Sequence, residues 1–112
     1  MVKTDISERI LYAYISGEVD HHTAKGIRTQ IDSEIEKNSP MQIVLDFSAV
    51  TFMDSSGIGL VMGRYKIMQE TGGSVIIQNP PQSIKKVMML AGLDKIAAII
   101  NSKAGFKNEN NQ

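Results

Sequence analysis

The sequence predicts an α/β fold, a small mixed β-sheet in the order β-β-α-β-α-β-α-β with α-helices packed against it. Three observations predict it. Apolar runs of strand length recur at residues 10–15, 42–47, 74–78 and 96–100. Between them lie segments whose apolar residues fall at three- and four-residue spacing, the period of one helix face. Breaker clusters separate the two kinds of segment: Asn38-Ser39-Pro40, Thr71-Gly72-Gly73 and Asn79-Pro80-Pro81. Strands that alternate with helices favour parallel pairing through right-handed crossovers.

The elements follow in order. Ile6 opens a weak first strand, and Ser7-Glu8-Arg9 turns the chain into a stronger one at Ile10-Leu11-Tyr12-Ala13-Tyr14-Ile15. This hairpin adds an antiparallel edge, and Ser16-Gly17 ends it. Asp20 is the expected N-cap of the first helix. Ala24, Ile27, Ile31 and Ile35 mark that helix's buried face, and Lys25, Arg28, Asp32, Glu36 and Lys37 are spaced to face solvent. Pro40 stops it, because proline lacks the N–H that continuation needs. A buried strand spans 42–47, and a loop then leads to a second helix over 55–71.

Ile58, Val61, Met62, Tyr65 and Met68 recur on one face of that second helix. Gly57, Gly59 and Gly63 each weaken it by about 1 kcal/mol relative to Ala, which suggests a close approach by backbone or by a partner. Gly72 or Gly73 suits its left-handed cap. A strand at 74–78 is followed by a third helix, with Pro81 at its start and Ile84, Val87, Met88 and Ala91 on its core face. Gly92 ends it. A last strand covers 96–100. Residues 1–101 read as a single domain and 102–112 as a short, polar, disordered tail. Met53, Met62, Met68, Met88 and Met89 fall on or near the predicted core faces.

Bulk composition excludes several functions. Twelve basic and twelve acidic residues balance, so no basic excess points to nucleic acid or to a polybasic membrane anchor. Aromatic residues are 5% with no Trp, which argues against platforms for stacking bases. No cysteine is present, which rules out disulfides, thiolate metal sites and cysteine nucleophiles. No signal-type apolar core opens the chain and no run reaches membrane-spanning length, so a cytoplasmic protein without membrane insertion is expected.

The chain is organised around Thr51-Phe52-Met53-Asp54-Ser55-Ser56-Gly57, at the predicted junction of strand and second helix. Asp54 is the expected N-cap, since its carboxylate can accept from the free amides of the first turn. Ser55 and Ser56 fall in that turn, where the positive end of the helix dipole favours a phosphate on either oxygen. Taken alone, Asp-Ser-Ser-Gly is better explained as a purely structural cap than as a regulatory serine, and the motif gains force from its surroundings.

Other chemistry fits poorly. Gly57-x-Gly59-x-x-x-Gly63 has its third glycine one position late for a dinucleotide fingerprint, and no acidic residue follows at the ribose position. Neither serine has the flanking glycines of a nucleophile elbow, and the two histidines precede them. His21 and His22, with Glu18 and Asp20 nearby, lack further ligands for a metal shell, so no metal and no cofactor are expected. No set of residues supplies a base, a nucleophile and an oxyanion site together. The residues describe a small binding module, not an enzyme.

The stretch Phe52-Met53-Asp54-Ser55-Ser56-Gly57-Ile58-Gly59 resembles the anti-sigma factor antagonists of spore-forming bacteria, which are STAS-domain proteins. Gly17-Glu18-Val19-Asp20-His21-His22-Thr23-Ala24 and Gly63-Arg64-Tyr65-Lys66 agree with the same family, in the same order and at similar spacing. The resemblance runs from about residue 5 to about residue 100 and leans to the sporulation branch.

It implies the STAS fold and a partner-switching role in sporulation transcription. The partner would be an anti-sigma factor that is also a serine kinase, bound with ATP or ADP, which releases its sigma factor on binding. The resemblance places phosphorylation on Ser55, with Ser56 as the alternative acceptor, and reversal by a PP2C-type phosphatase. It makes Glu18, Asp20 and His21 partner contacts beside Met53, Asp54, Ser56 and Gly57. The family continues into a C-terminal helix, where this chain has only a short polar segment. A STAS module in another stress-response circuit and a nucleotide-binding STAS domain remain alternatives.

Overall fold

The computed structural model describes residues 1–102, so the expectation for residues 103–112 lies outside the described residues. The elements are β1 (Val2–Ser7), β2 (Ile10–Val19), α1 (Ala24–Asn38), β3 (Gln42–Met53), α2 (Ser55–Glu70), β4 (Ser74–Gln78), α3 (Gln82–Leu90) and β5 (Ala98–Ile100). They form one five-stranded sheet in the order β1-β2-β3-β4-β5. β1 pairs antiparallel with β2, and every later pairing is parallel. The expected mixed sheet with an antiparallel edge is therefore the one observed.

Register decides which residues form the core. Leu11 lies opposite Ile43, and Ile43 opposite Val75; Ala13, Leu45 and Ile77 form the next row. A strand alternates its faces, so these residues share one side of the sheet. All six are buried. Ile27 and Ile31 of α1, Leu60, Val61 and Met68 of α2, and Ile84 and Met88 of α3 join the same cluster. A sheet order that advances by one strand per crossover, with crossovers of one hand, puts all three helices on that side.

Asp46 belongs to the alternate set of β3 residues and is buried, yet its carboxylate is fully engaged. It accepts from Ser48 N at 2.9 Å and Ser48 Oγ at 2.6 Å, and from Gln78 Nε2 at 2.8 Å. Buried carboxylates persist only with such partners. Asn79 Nδ2 reaches the same carboxylate at 3.3 Å and also holds the Ser102 carbonyl at 3.1 Å, which ties the end of the described chain to β4.

Several boundaries differ from the expectations. β1 begins at Val2, not Ile6, because antiparallel pairing with β2 recruits Lys3, Thr4 and Asp5 despite their modest strand preference. β2 runs past Ser16-Gly17 to Val19. Register shifts beside those two residues and a φ of 81° at Gly17 absorb the irregularity, as a bulge does. β3 runs past Phe47 to Met53, since its pairing with the extended β2 continues as far as Met53. The last strand is only Ala98–Ile100, preceded by a 3₁₀ turn at Leu93–Lys95. The hairpin turn itself uses Glu8 and Arg9, both at positive φ.

The helix faces also need correction. Met62 is 51% exposed and Met89 46%, so neither is core filler. Val87 and Ala91 lie at the surface too, which narrows the buried stripe of α3 to Ile84 and Met88. On α2 the buried residues include Arg64, a charge where an apolar stripe was expected.

Candidate functional site

The site lies at the carboxyl ends of two neighbouring parallel strands, where open α/β sheets carry their binding crevices. Parallel register sets Glu18 opposite Phe52 and Val19 opposite Met53. Asp54 N donates to the Val19 carbonyl at 3.2 Å, closing the junction between the two strand ends. The loop after β2 is thereby held against the start of α2.

Asp54 is the N-cap of α2. Its backbone is extended, with φ −107° and ψ −165°, and Oδ1 accepts from Ser56 N at 2.8 Å. Gly57 N donates to the Asp54 carbonyl at 3.0 Å. The cap thus holds two amides of the first turn, those of Ser56 and Gly57, and fixes its geometry. Ser55 follows as the first residue of α2, and its side chain is exposed. Ser56 is half-buried and faces a cavity shared with α1.

Asp20 does the work of a cap one turn earlier than the helix it was expected to start. α1 begins at Ala24, and the residue before it, Thr23, makes no capping side-chain bond of its own. Asp20 Oδ1 accepts from His22 N at 2.8 Å and Thr23 N at 3.0 Å. The amide hydrogen bond from Thr23 is the main reason the Asp20 carboxyl is held below its ordinary pKa, and the amide of His22 and the hydroxyl of Thr23 add to it. Thr23 Oγ1 also donates to the Glu18 carbonyl at 2.8 Å, so residues 18–23 form a closed loop.

The site residues expected from the sequence divide into two groups. Glu18, His21 and Ser55 are exposed, and Asp20, Asp54 and Ser56 are half-buried beside them. Met53 and Gly57, expected at the partner surface, are buried instead. A Cβ on Gly57 would collide with Cγ and Sδ of Met53 and meet Val19 Cγ1 at 3.4 Å. The close approach inferred for the glycines thus comes, at Gly57, from the chain's own Met53. Gly59 and Gly63 have nothing within 4 Å of where a Cβ would stand.

Two features escaped the sequence reading. Arg64 of α2 is 4% exposed and its Nε lies 3.0 Å from Oδ1 of Asp32 on α1. The two atoms are close enough for an ion pair but not aligned for a hydrogen bond, and among the described residues Arg64 Nη1 has no hydrogen-bond partner either. Burial pushes the Arg64 pKa down, while Asp32 pulls it back up. Asp32, expected to face solvent, therefore helps join the two helices that carry the site. Lys25 and Arg28 are exposed, as expected, and line an open cavity with His21, His22 and Ser56. Lys25 stands four and Arg28 seven residues after His21, and that spacing was the signal that they share a face.

Among the described residues no group of three or more histidine, cysteine or acidic side chains could hold a metal. No described helix is long and apolar enough to cross a membrane.

A sheet of this order with a capped, serine-bearing helix at its strand ends defines a class. The chain belongs to the STAS domain family, whose model matches residues 1–105. Within that family it is similar to the anti-sigma factor antagonists. It is 36% identical over 102 residues to the anti-sigma F factor antagonist of Paenibacillus polymyxa, which covers 89% of this chain and 86% of that one. Its structure is similar to that of the anti-sigma factor antagonist SpoIIAA in its unphosphorylated form, with a TM-score of 0.82 and 29% identity over 94% of this chain and 90% of that one. It is also similar to the Bacillus cell fate determinant SpoIIAA in the phosphorylated form, with a TM-score of 0.75 and 28% identity over 94% of each chain. These relatives carry the names of regulatory binding proteins, not of enzymes.

Proposed function

We propose that this chain is an anti-sigma factor antagonist whose unphosphorylated form binds an anti-sigma factor that is also a serine kinase, so that a sigma factor is released. Phosphorylation of Ser55 switches it off, and a PP2C-type phosphatase restores it. The circuit we assign is the control of sporulation transcription in the cytoplasm, in line with the sigma F antagonist named above. The observation that carries the reading is the placement of Ser55: exposed, first in α2, directly after a satisfied cap and beside the Glu18–His21 loop.

The physics supports a switch without refolding. A phosphoserine adds about −1.5 to −2 charges at neutral pH. At an exposed helix start the free protein tolerates it, helped by the dipole. Under a close-packed partner the same group meets desolvation and steric conflict. Ser55 is favoured over Ser56 because its side chain is exposed while Ser56 is half-buried. Glu18, Asp20, His21, Asp54 and Ser56 surround the acceptor as the contact set, and Met53 and Gly57 support it from beneath.

The test is intact-mass and peptide mapping after incubation with ATP and the cognate anti-sigma kinase. One added phosphate on Ser55, absent in Ser55→Ala, is expected. Ser55→Asp is expected to lose binding to the ADP-bound kinase, and wild-type affinity in that variant would sink the switch mechanism.

A further inference from the structure

We infer that the cavity between the first turns of α1 and α2 is a socket for an acidic, carboxylate-bearing segment of the anti-sigma factor. The inference rests on the partner reading above and names the chemistry of the contact. The cavity has a volume of about 630 Å³ and is lined by His21, His22, Lys25 and Arg28 on one side and by Ser56 and Gly59 on the other. No acidic residue lines it. The whole chain is balanced at twelve basic and twelve acidic residues, so a cavity that gathers Lys25 and Arg28 without an acidic residue is a local feature and not a consequence of composition.

The cations are also unspent. Among the described residues, the ion pairs are Lys37 with Glu34 and Arg64 with Asp32, and neither Lys25 nor Arg28 has one. Asp32 stands four residues after Arg28 on α1, the spacing at which a carboxylate ordinarily neutralises an arginine. Here Asp32 is turned to the buried Arg64, 3.0 Å away, and Arg28 is left without a countercharge. The buried arginine of α2 thus leaves a cation on α1 available to a partner.

The same geometry favours a protein carboxylate over a free phosphate or nucleotide. Phosphate sites at helix starts use free backbone amides. Here Ser56 N is held by Asp54 Oδ1 and Gly57 N by the Asp54 carbonyl, so of the first three α2 amides only Ser55 N is without a partner among the described residues, and one amide alone does not make a phosphate cradle. At α1, His22 N and Thr23 N are held by Asp20 Oδ1, and Ala24 N by the Asp20 carbonyl. Recognition falls to side-chain cations, and no aromatic residue other than the two histidines lines the cavity to stack a base. Gly59 leaves its floor open, with nothing within 4 Å of a would-be Cβ.

The experiment measures binding of the purified, ADP-bound anti-sigma factor at 50, 150 and 400 mM salt, where a contact of ~10 Å spans about 0.7, 1.3 and 2 Debye lengths. It compares wild type, Lys25→Glu/Arg28→Glu, the milder Lys25→Gln/Arg28→Gln, and Lys86→Glu as a control on the exposed surface of α3. Circular dichroism melts confirm folding of each. The glutamate pair is expected to weaken binding about tenfold or more at the lowest salt and to flatten the salt dependence, with the glutamine pair intermediate and the control within about twofold.

Binding of the glutamate pair within about twofold of wild type overturns the socket while leaving the antagonist reading intact. ADP or ATP alone binding to wild type but not to the glutamate pair makes the cavity a nucleotide site and overturns it as well. Wild type failing to bind the anti-sigma factor overturns the antagonist reading and the socket together.

Discussion

Replacing Asp32 by Asn removes the only described countercharge of a guanidinium that is 4% exposed. Two unit charges 3.0 Å apart attract by about 5.5 kcal/mol at an effective dielectric of ~20. Two features of the pair reduce that figure. The Asp32 side chain is 38% exposed, so water already screens it, and its contact with Arg64 Nε is not aligned as a hydrogen bond. Exposed pairs contribute ~0–1 kcal/mol, and breaking a fully buried one costs about 3–5. The expected loss for Asp32→Asn is therefore about 2–3 kcal/mol, a fall in Tm of roughly 10 °C for a domain of this size.

The reciprocal Arg64→Met removes the buried charge and keeps an unbranched chain in place. It leaves behind an Asp32 that can reach water, and is expected to cost about 1 kcal/mol. Urea denaturation at pH 7 of both single variants and the double measures the coupling directly. In the Arg64→Met background, Asp32→Asn is expected to cost under about 0.5 kcal/mol. A single Asp32→Asn variant within about 0.5 kcal/mol of wild type, or additive costs in the double, would refute the reasoning, because the guanidinium would then be satisfied without Asp32.

Other outcomes follow from the same structure. Asp54→Ala removes the cap on Ser56 N and is expected to lower stability by about 1 kcal/mol in urea melts, with Asp54→Ser largely restoring it. Gly57→Ala and Gly59→Ala are expected to differ in sign. The first forces a methyl into Met53 and costs about 1–3 kcal/mol, while the second meets open space and gains up to about 1 kcal/mol of helix preference in the same melts. Asp20 has a folded pKa below the ordinary 3.8, so its contribution to the loop is present above that value and is lost as pH falls through the lower folded pKa. Amide shifts of His22 and Thr23 in an NMR acid titration are expected to move together with a midpoint below 3.8; a midpoint above it would show that the two hydrogen bonds do not favour the ionised form.

Local patterns made the element order and the serine-bearing helix start legible in the sequence. The apolar run ending at Phe47, the polar cap Asp54 and the helical spacing from Ile58 onward all act within a few residues, and cap chemistry depends on neighbours two or three positions away. The resemblance in the stretches around Asp20, Ser55 and Arg64 led to the family that the comparison with residues 1–105 shows. The limits of β1, β2 and β3 were not legible, because a strand's end is set by its neighbour's hydrogen bonds. Val19 could join β2 only once it lay opposite Met53.

What tertiary structure alone decided is which side chains are spent and which are free. Asp32 and Arg28 look alike as charged residues on the outer face of an amphipathic helix. The approach of α2 buries Arg64 against Asp32 and leaves Arg28 facing the cavity. Met53 and Gly57 sit within a motif that reads as surface, yet they pack on each other beneath it. Each of these outcomes depends on a contact between residues far apart in sequence, and helix periodicity carries no information about the rotation at which two helices meet.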